Sequence, residues 1–162
     1  MNKSLLKVFQ IYIFVYAFLF ASRPISDADF WFHLKTGQYI FATGSIPRTE
    51  LFSFTFHGIP WVAHGWLSGV LFYAVYSLGG LKPLIFIFAL LTAVAFWIAF
   101  KRANSHPFFA GVAVLVAVWT ALPNIGVRPR VFTILFASIY LALLGRFARG
   151  IEQRWIWLLV PL

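Results

Sequence analysis

Two aspartates are the residues whose type and spacing best suit acid–base chemistry. Asp27 and Asp29 form an Asp-Ala-Asp triplet immediately before an apolar series that begins at Phe30. A carboxylate beside aromatic residues at a membrane surface is partly desolvated, which suits it to accept a proton from a hydroxyl. The simpler alternative is that Asp27 caps a helix and Asp29 favours the positive end of that helix.

Two arginines form the second candidate group. Arg128 and Arg130 lie in a short polar turn that runs from Asn124 to Arg130. A guanidinium offers paired donors in a fixed geometry, so this turn could bind the phosphate or pyrophosphate of a lipid-linked substrate. Binding to the phosphates of bulk lipids is the alternative.

Metal and nucleotide chemistry find little support in the sequence. His33, His57 and His64 lack the i,i+4 spacing of a helical metal site, so no metal ligands are assigned, and His33 is expected to point to water or headgroups. The chain has no cysteine, no phosphate-cradling glycine-rich loop, no Gly-x-Ser-x-Gly elbow and no His-Glu-x-x-His helix. These gaps argue against thiolate metal sites, nucleotide hydrolases, serine hydrolases and zinc proteases.

The composition indicates which elements must position these residues. Of the 162 residues 62% are hydrophobic and 10% are charged, whereas soluble domains have roughly 45–50% apolar and about 25% charged residues. This excludes an ordinary soluble enzyme, a coiled coil and a disordered tail, and it predicts an all-α, polytopic helical membrane protein. The net charge is +9, but the basic residues lie singly or in pairs between apolar runs. That pattern disfavours nucleic-acid binding and is typical of topology signals.

The apolar runs predict a single transmembrane unit over residues 1–162, with about four complete spans and an incomplete fifth. The spans are residues 5–22, 83–100, 107–123, 131–145 and, incomplete, 155–162. A cleaved signal peptide is the alternative for the first run, although Phe20-Ala21-Ser22 is a poor cleavage site. Trp66 to Gly80 either spans or lies at the interface. The basic residues of the short loops favour the interface and a cytoplasmic N-terminus.

A large first extracytoplasmic loop, about residues 23–82, is predicted to carry two interfacial helices. It contains three of the four acidic residues. Apolar residues at helical spacing predict a first interfacial helix that ends before Gly44; they are Phe30, Leu34, Gly37 and Phe41. A second interfacial helix is predicted from Trp66 onward, and Leu51 to His57 alternates loosely and could be extended.

The order of these parts resembles the GT-C superfamily of membrane glycosyltransferases, which includes protein O-mannosyltransferases and the aminoarabinose transferase that acts on lipid A. The matching parts are Asp27-Ala28-Asp29, the helices Phe30 to Thr43 and Trp66 to Leu78, the basic pair Lys101-Arg102, and the turn Val127 to Phe132. The stretch Asp-Ala-Asp-Phe-Trp-Phe-His-Leu-Lys-Thr-Gly is similar to an uncharacterised bacterial branch. Known members have many more spans, so the chain resembles their N-terminal portion only.

The resemblance implies transfer of a sugar from a polyprenyl-phosphate donor to an acceptor on the extracytoplasmic side of the bacterial inner membrane. Asp29 fits the family's general-base position, Asp27 would be its partner or a metal ligand, and Arg128 and Arg130 would hold the donor phosphate. Whether a divalent metal takes part stays open. The implied partners are membrane lipids, the lipid-linked donor and proteins that supply missing helices. The alternative is a non-catalytic integral membrane subunit that packs against a larger complex.

Overall fold

A computed structural model describes residues 3–103 and 105–150, and the regular secondary-structure elements of this part of the chain are all helices. It contains six α-helices and one 3₁₀ turn: α1 (Lys3–Ala21), α2 (Ala28–Thr43), α3 (Trp66–Gly79), α4 (Leu81–Arg102), α5 (Pro107–Thr120), the 3₁₀ turn (Leu122–Asn124) and α6 (Arg130–Phe147). The prediction of an all-α fold is therefore confirmed for the described residues. The predicted incomplete span at 155–162 lies outside them.

Two helices are long and apolar enough to cross a membrane, namely α4 with 22 residues and α6 with 18 residues. At 1.5 Å per residue, α4 is about 33 Å long and α6 about 27 Å, against a hydrocarbon core of about 30 Å. Shorter apolar helices cover Leu6–Ala21, Trp66–Gly79 and Pro107–Thr120. By length and composition, two helices are therefore candidate membrane spans, and the four complete spans stay a prediction.

Prolines shift the observed helix boundaries by a few residues from the predicted ones. α4 begins at Leu81, before Pro83, because a proline is tolerated in the first turn, where the N–H groups have no helical partners. α5 ends at Thr120, short of the predicted 123, because the chain tightens into the 3₁₀ turn that contains Pro123. α6 follows Pro129, as expected from the preference of proline for helix starts.

The described residues form two compact units: residues 3–23, 87–103 and 105–150 belong to the first, and Pro24–Phe86 is the second. The second unit contains α2 and α3. The first contains α1, most of α4, α5 and α6. That residues 1–162 act as a single transmembrane unit stays a prediction.

The core of the first unit is formed by small and branched residues of α1, α4 and α5. Its fully buried members include Ile13, Ala17, Ala93 and Val118. Gly111 of α5 lets the α1 helix approach, since a Cβ there would lie 3.3 Å from the ring of Phe9. Large apolar residues on the other faces of α1 and α5 are exposed, among them Val8, Ile11, Val15, Leu19, Val112 and Val116. These two helices are therefore apolar on their buried and their exposed faces.

The second unit is held together by close contact between the backbones of α2 and α3. A Cβ at Gly37 would lie 2.0 Å from the carbonyl oxygen of Gly69, so no side chain fits between the helices there. Aromatic pairs flank this contact, with Phe30 stacked on Phe72 at 5.7 Å between ring centroids. The contact fixes α2, and with it the candidate acidic residues, against α3.

We predict that Gly37→Ala destabilises the second unit, because the added methyl group would clash with backbone that cannot move aside. Overpacking costs roughly 1–3 kcal/mol of unfolding free energy, more than the ~1 kcal/mol that alanine gains over glycine in a helix. The matched control is Gly79→Ala, whose Cβ would meet Pro83 at an ordinary 3.4 Å. Thermal unfolding of the purified chain in detergent, followed by circular dichroism, measures both. Equal melting of Gly37→Ala and wild type would contradict the prediction.

Candidate functional site

The two aspartates lie at the start of α2 and have different roles there. Asp27 is the N-cap: its backbone is extended, and its Oδ1 accepts a hydrogen bond from the backbone N–H of Asp29 at 3.3 Å. The predicted capping role of Asp27 is thus confirmed. Asp29 lies in the first turn of α2 and is exposed, whereas Asp27 is half-buried. The exposed carboxylate of Asp29 is therefore the more accessible of the two to a substrate.

His33 lies one turn beyond Asp29 on α2 and is half-buried, and the prediction that it points to water or headgroups stays a prediction. Its ring packs edge-on against Phe72, 6.1 Å away between centroids, and a Cβ at Gly65 would lie 2.6 Å from its Cε1. Burial lowers the pKa of His33, while the negative charges of Asp29 and Asp27 oppose that shift. His33 is thus held as a mainly neutral imidazole near the two carboxylates.

Glu50, the third acidic residue, stabilises the loop between α2 and α3. One Glu50 carboxylate oxygen accepts from the N–H groups of Phe52 at 2.8 Å and Ser53 at 3.0 Å. An isolated antiparallel bridge pairs Thr49 with Pro60. The segment from Leu51 to His57, which the sequence suggested could be extended, instead folds into bends.

Three phenylalanines lie on this loop, at positions 52, 54 and 56. Phe52 packs edge-on against Phe32 of α2, with 5.6 Å between ring centroids. Phe54, in contrast, is 101% exposed and Phe56 is 62% exposed. The loop therefore rests on α2 at its base and presents apolar rings at its tip.

The arginine-rich turn before α6 is closed by a third arginine. Arg23, just after α1, donates hydrogen bonds to the carbonyl oxygen of Leu122 and, at 3.0 Å, to that of Ile125. Arg130 donates to the side-chain oxygen of Asn124 at 2.6 Å. Arg128 is half-buried in the same turn. The turn thus gathers three guanidinium groups within the first unit.

The candidate residues divide between the two units. Asp27 and Asp29 belong to the second unit, and Arg128 and Arg130 belong to the first. That all four serve one site stays a prediction. Within residues 3–103 and 105–150, no three His, Asp or Glu side chains are grouped so that they could hold a metal ion.

Sequence reasoning missed His33 and Arg23 as parts of these two groups. The signal for His33 was its i,i+4 spacing from Asp29, which places both residues on one face of α2. Arg23 gave no such signal. Its partners lie about 100 residues away in the chain.

Comparison of the chain with protein-family models, with curated proteins and with solved structures found no match. The family resemblance therefore depends on the order and identity of the sequence motifs. What each of the two groups can do depends on its own geometry. The second unit offers an exposed carboxylate at a capped helix start, and the first unit offers a turn with clustered guanidinium groups.

We predict that acid destabilises the second unit through His33. Burial lowers the pKa of this side chain below the ordinary 6.5, so below that pH the unfolded chain binds a proton before the folded chain does. The free energy that the neutral, buried His33 ring contributes to folding is therefore fully present above pH 6.5 and is lost as the pH falls below that value. Melting temperatures at about pH 7.5 and about pH 5.5 measure this difference. The difference between the two melting temperatures should shrink in His33→Gln and persist in the control His57→Gln, whose histidine is exposed. An unchanged difference in His33→Gln would refute the role of His33 in acid destabilisation.

Proposed function

We propose that this chain is a GT-C-like membrane glycosyltransferase module that transfers a sugar from a polyprenyl-phosphate donor to an acceptor hydroxyl on the extracytoplasmic side. The observation that carries the proposal is the exposed Asp29 carboxylate at the capped start of α2, immediately before Phe30 and Trp31, whose rings pack edge-on against each other. Asp27 supports it, because its cap fixes the helix start and leaves Asp29 as the better choice of base.

In the proposed reaction, Asp29 accepts the proton of the acceptor hydroxyl. The hydroxyl oxygen attacks the anomeric carbon of the sugar, and the bond from that carbon to the donor phosphate oxygen breaks. The leaving polyprenyl phosphate takes the bonding electron pair, and the guanidinium groups of Arg128 and Arg130 stabilise its charge. Asp27 and Asp29 could hold a divalent cation only if phosphate and water completed its coordination, since Mg²⁺ takes about six ligands. The proposal does not require one.

The proposed topology has four spans, α1, α4, α5 and α6, in the bacterial inner membrane, with the N-terminus in the cytoplasm. The exposed apolar faces of α1 and α5 support their placement in lipid. The short loops then carry seven basic residues on the cytoplasmic side and two outside, as the positive-inside rule expects. These charges are, inside, Lys3, Lys7, Lys101, Arg102, Arg146, Arg149 and Arg154 and, outside, Arg128 and Arg130.

The helices α2 and α3 are proposed to lie at the outer membrane interface. α3 has 14 residues, as does α5, so length does not distinguish the two. The interfacial placement of α3 instead depends on the basic residues of the short loops and on the glycine pair at its end. The exposed rings of Phe54 and Phe56 at the loop tip fit an interface, where aromatic side chains are enriched. In this position Asp29 would meet a donor whose lipid chain stays in the bilayer.

The second candidate function is a non-catalytic membrane subunit. It is favoured by α6, in which Val131 is the one described residue that is buried. Helices of further proteins could pack on this open helix, since apolar helices associate in lipid by packing. The glycosyltransferase proposal also has room for such partners, as suppliers of missing helices.

The base assignment predicts that Asp29→Asn lowers sugar transfer by roughly 10²–10⁴-fold, the usual contribution of a general base. The matched control is Asp27→Asn, because asparagine is as good an N-cap as aspartate and keeps α2 in place. Asp27→Asn should transfer within a fewfold of wild type if its role is capping. The assay is transfer of label from a panel of polyprenyl-phosphate sugars by membranes that carry each variant.

The pattern of losses in this assay separates the hypotheses. A merely twofold loss in Asp29→Asn would refute its role as base. Purification in a stoichiometric complex whose activity survives substitution of both aspartates would favour the non-catalytic subunit. Circular dichroism of each variant shows whether a loss of transfer reflects unfolding.

The topology can be tested with single cysteines because the chain contains none. We predict that Ser45→Cys reacts with a membrane-impermeant maleimide in intact cells, whereas Ser105→Cys reacts only after permeabilisation. Both positions are exposed. Labelling of Ser105→Cys in intact cells would contradict the interfacial placement of α3, because a spanning α3 would put this loop outside.

A further inference from the structure

Four basic side chains converge where α4 and α6 end, within the first unit. Lys101 and Arg102 are the last two residues of α4, Arg146 lies in the last turn of α6, and Arg149 lies in the turn that follows. Two grooves lie between these helix ends, one of about 550 Å³ and one of about 250 Å³. Arg102 and Arg149 line both grooves, which therefore adjoin each other and are together named the basic groove.

The walls of this basic groove suit a phosphate that carries an apolar group. Gly145 lies beside the Arg102 side chain, since a Cβ there would be in ordinary contact with the Arg102 Nε at 3.8 Å. The ammonium of Lys101 lies 4.4 Å from the centre of the Trp97 ring. The remaining wall residues are apolar, and none of the described residues that line the two grooves is acidic.

We infer that the basic groove binds the phosphate of an anionic membrane lipid, with phosphatidylglycerol as the simplest ligand of this chemistry. The groove lies at the ends of the two helices that are long and apolar enough to span a membrane, which is the depth of lipid headgroups. Exposed apolar residues farther along α6, among them Phe136, Tyr140 and Leu141, offer a surface for the acyl chains. In the proposed topology this end faces the cytoplasmic leaflet.

This inference does not depend on glycosyl transfer or on the base assignment of Asp29. The positive-inside rule explains why basic residues flank these spans, but it does not require them to line one groove. Basic pockets between membrane helices bind phosphorylated lipid headgroups in this way, and guanidinium groups match phosphate with paired donors. Each basic residue near the headgroup contributes a factor of roughly fivefold in affinity.

Native mass spectrometry of the purified full chain, released from an uncharged detergent, tests the inference. The probes are phosphatidylglycerol, zwitterionic phosphatidylcholine and inorganic phosphate. The variant is Arg102→Gln, and the matched control is Lys7→Gln, which removes one charge from an exposed position on α1 that lines neither groove. Arg149→Gln, in an exposed turn, serves as a second variant if Arg102→Gln lowers helical content.

We expect one phosphatidylglycerol to bind the wild-type chain at least roughly tenfold more tightly than phosphatidylcholine does. Relative to wild type, phosphatidylglycerol should bind roughly fivefold more weakly to Arg102→Gln and less than about twofold more weakly to Lys7→Gln. Failure of millimolar inorganic phosphate to displace the lipid identifies the lipid as the ligand. Displacement supports the same phosphate site with a soluble phosphate compound as its ligand. Equal binding of the two lipids, or equal losses in the groove variants and Lys7→Gln, would overturn the inference.

Discussion

Helix ends leave backbone N–H and C=O groups without helical partners, and a chain with 10% charged residues has few side chains to satisfy them. The polar residues lie where this need arises. Asp27 accepts from the start of α2, the imidazole of His106 accepts from the N–H of Phe108 at the start of α5, and Arg23 donates to carbonyl oxygens of the 3₁₀ turn. Asp27 and Arg23, near the two candidate groups, are thus engaged by backbone, whereas the Asp29 carboxylate is exposed.

Glycines position α2 against α3 through close packing, a role that polar contacts have in other proteins. Gly37 and Gly69 let α2 and α3 touch through their backbones, and Gly65 makes room for the ring of His33. Close approach through glycine gives dense packing without any need for polar partners, as it does between membrane helices. The start of α2 therefore has a fixed place in the second unit, although α2 is held there mainly by apolar contacts.

Local signals made the helices of the second unit predictable from sequence. α2 begins after the cap Asp27 and ends at Gly44, whose φ of 66° lies in the left-handed region that favours glycine. The predicted boundaries of α4 and α5 were less accurate. The effect of a proline depends on whether the N–H group of another residue at that position would have had a helical partner. The loose alternation from Leu51 to His57 allowed an extended segment, but alternation of apolar residues does not reveal that a carboxylate will hold the loop in bends.

The candidate site was predictable only where its parts are close in sequence. Asp27 and Asp29 stand out because they precede an apolar helix, and Arg128 and Arg130 stand out within one turn. The burial of His33 depends on Gly65 and Phe72, more than 30 residues away, and no local pattern reveals that contact. Long-range contacts of this kind decide how polar a site is, so composition alone could not show that His33 is half-buried.

A chain this poor in polar residues is compatible with sugar transfer, because the proposed reaction asks little of the protein. The donor phosphate is a good leaving group when cations stabilise its charge, so the protein has to supply one proton acceptor and a few guanidinium groups. A lipid-linked donor is already confined to the membrane surface, which reduces the entropy of bringing it to a site there. The proposal therefore requires one proton acceptor, for which Asp29 is the candidate, and a few guanidinium groups, for which Arg128 and Arg130 are the candidates, while the membrane brings donor and acceptor to the same surface.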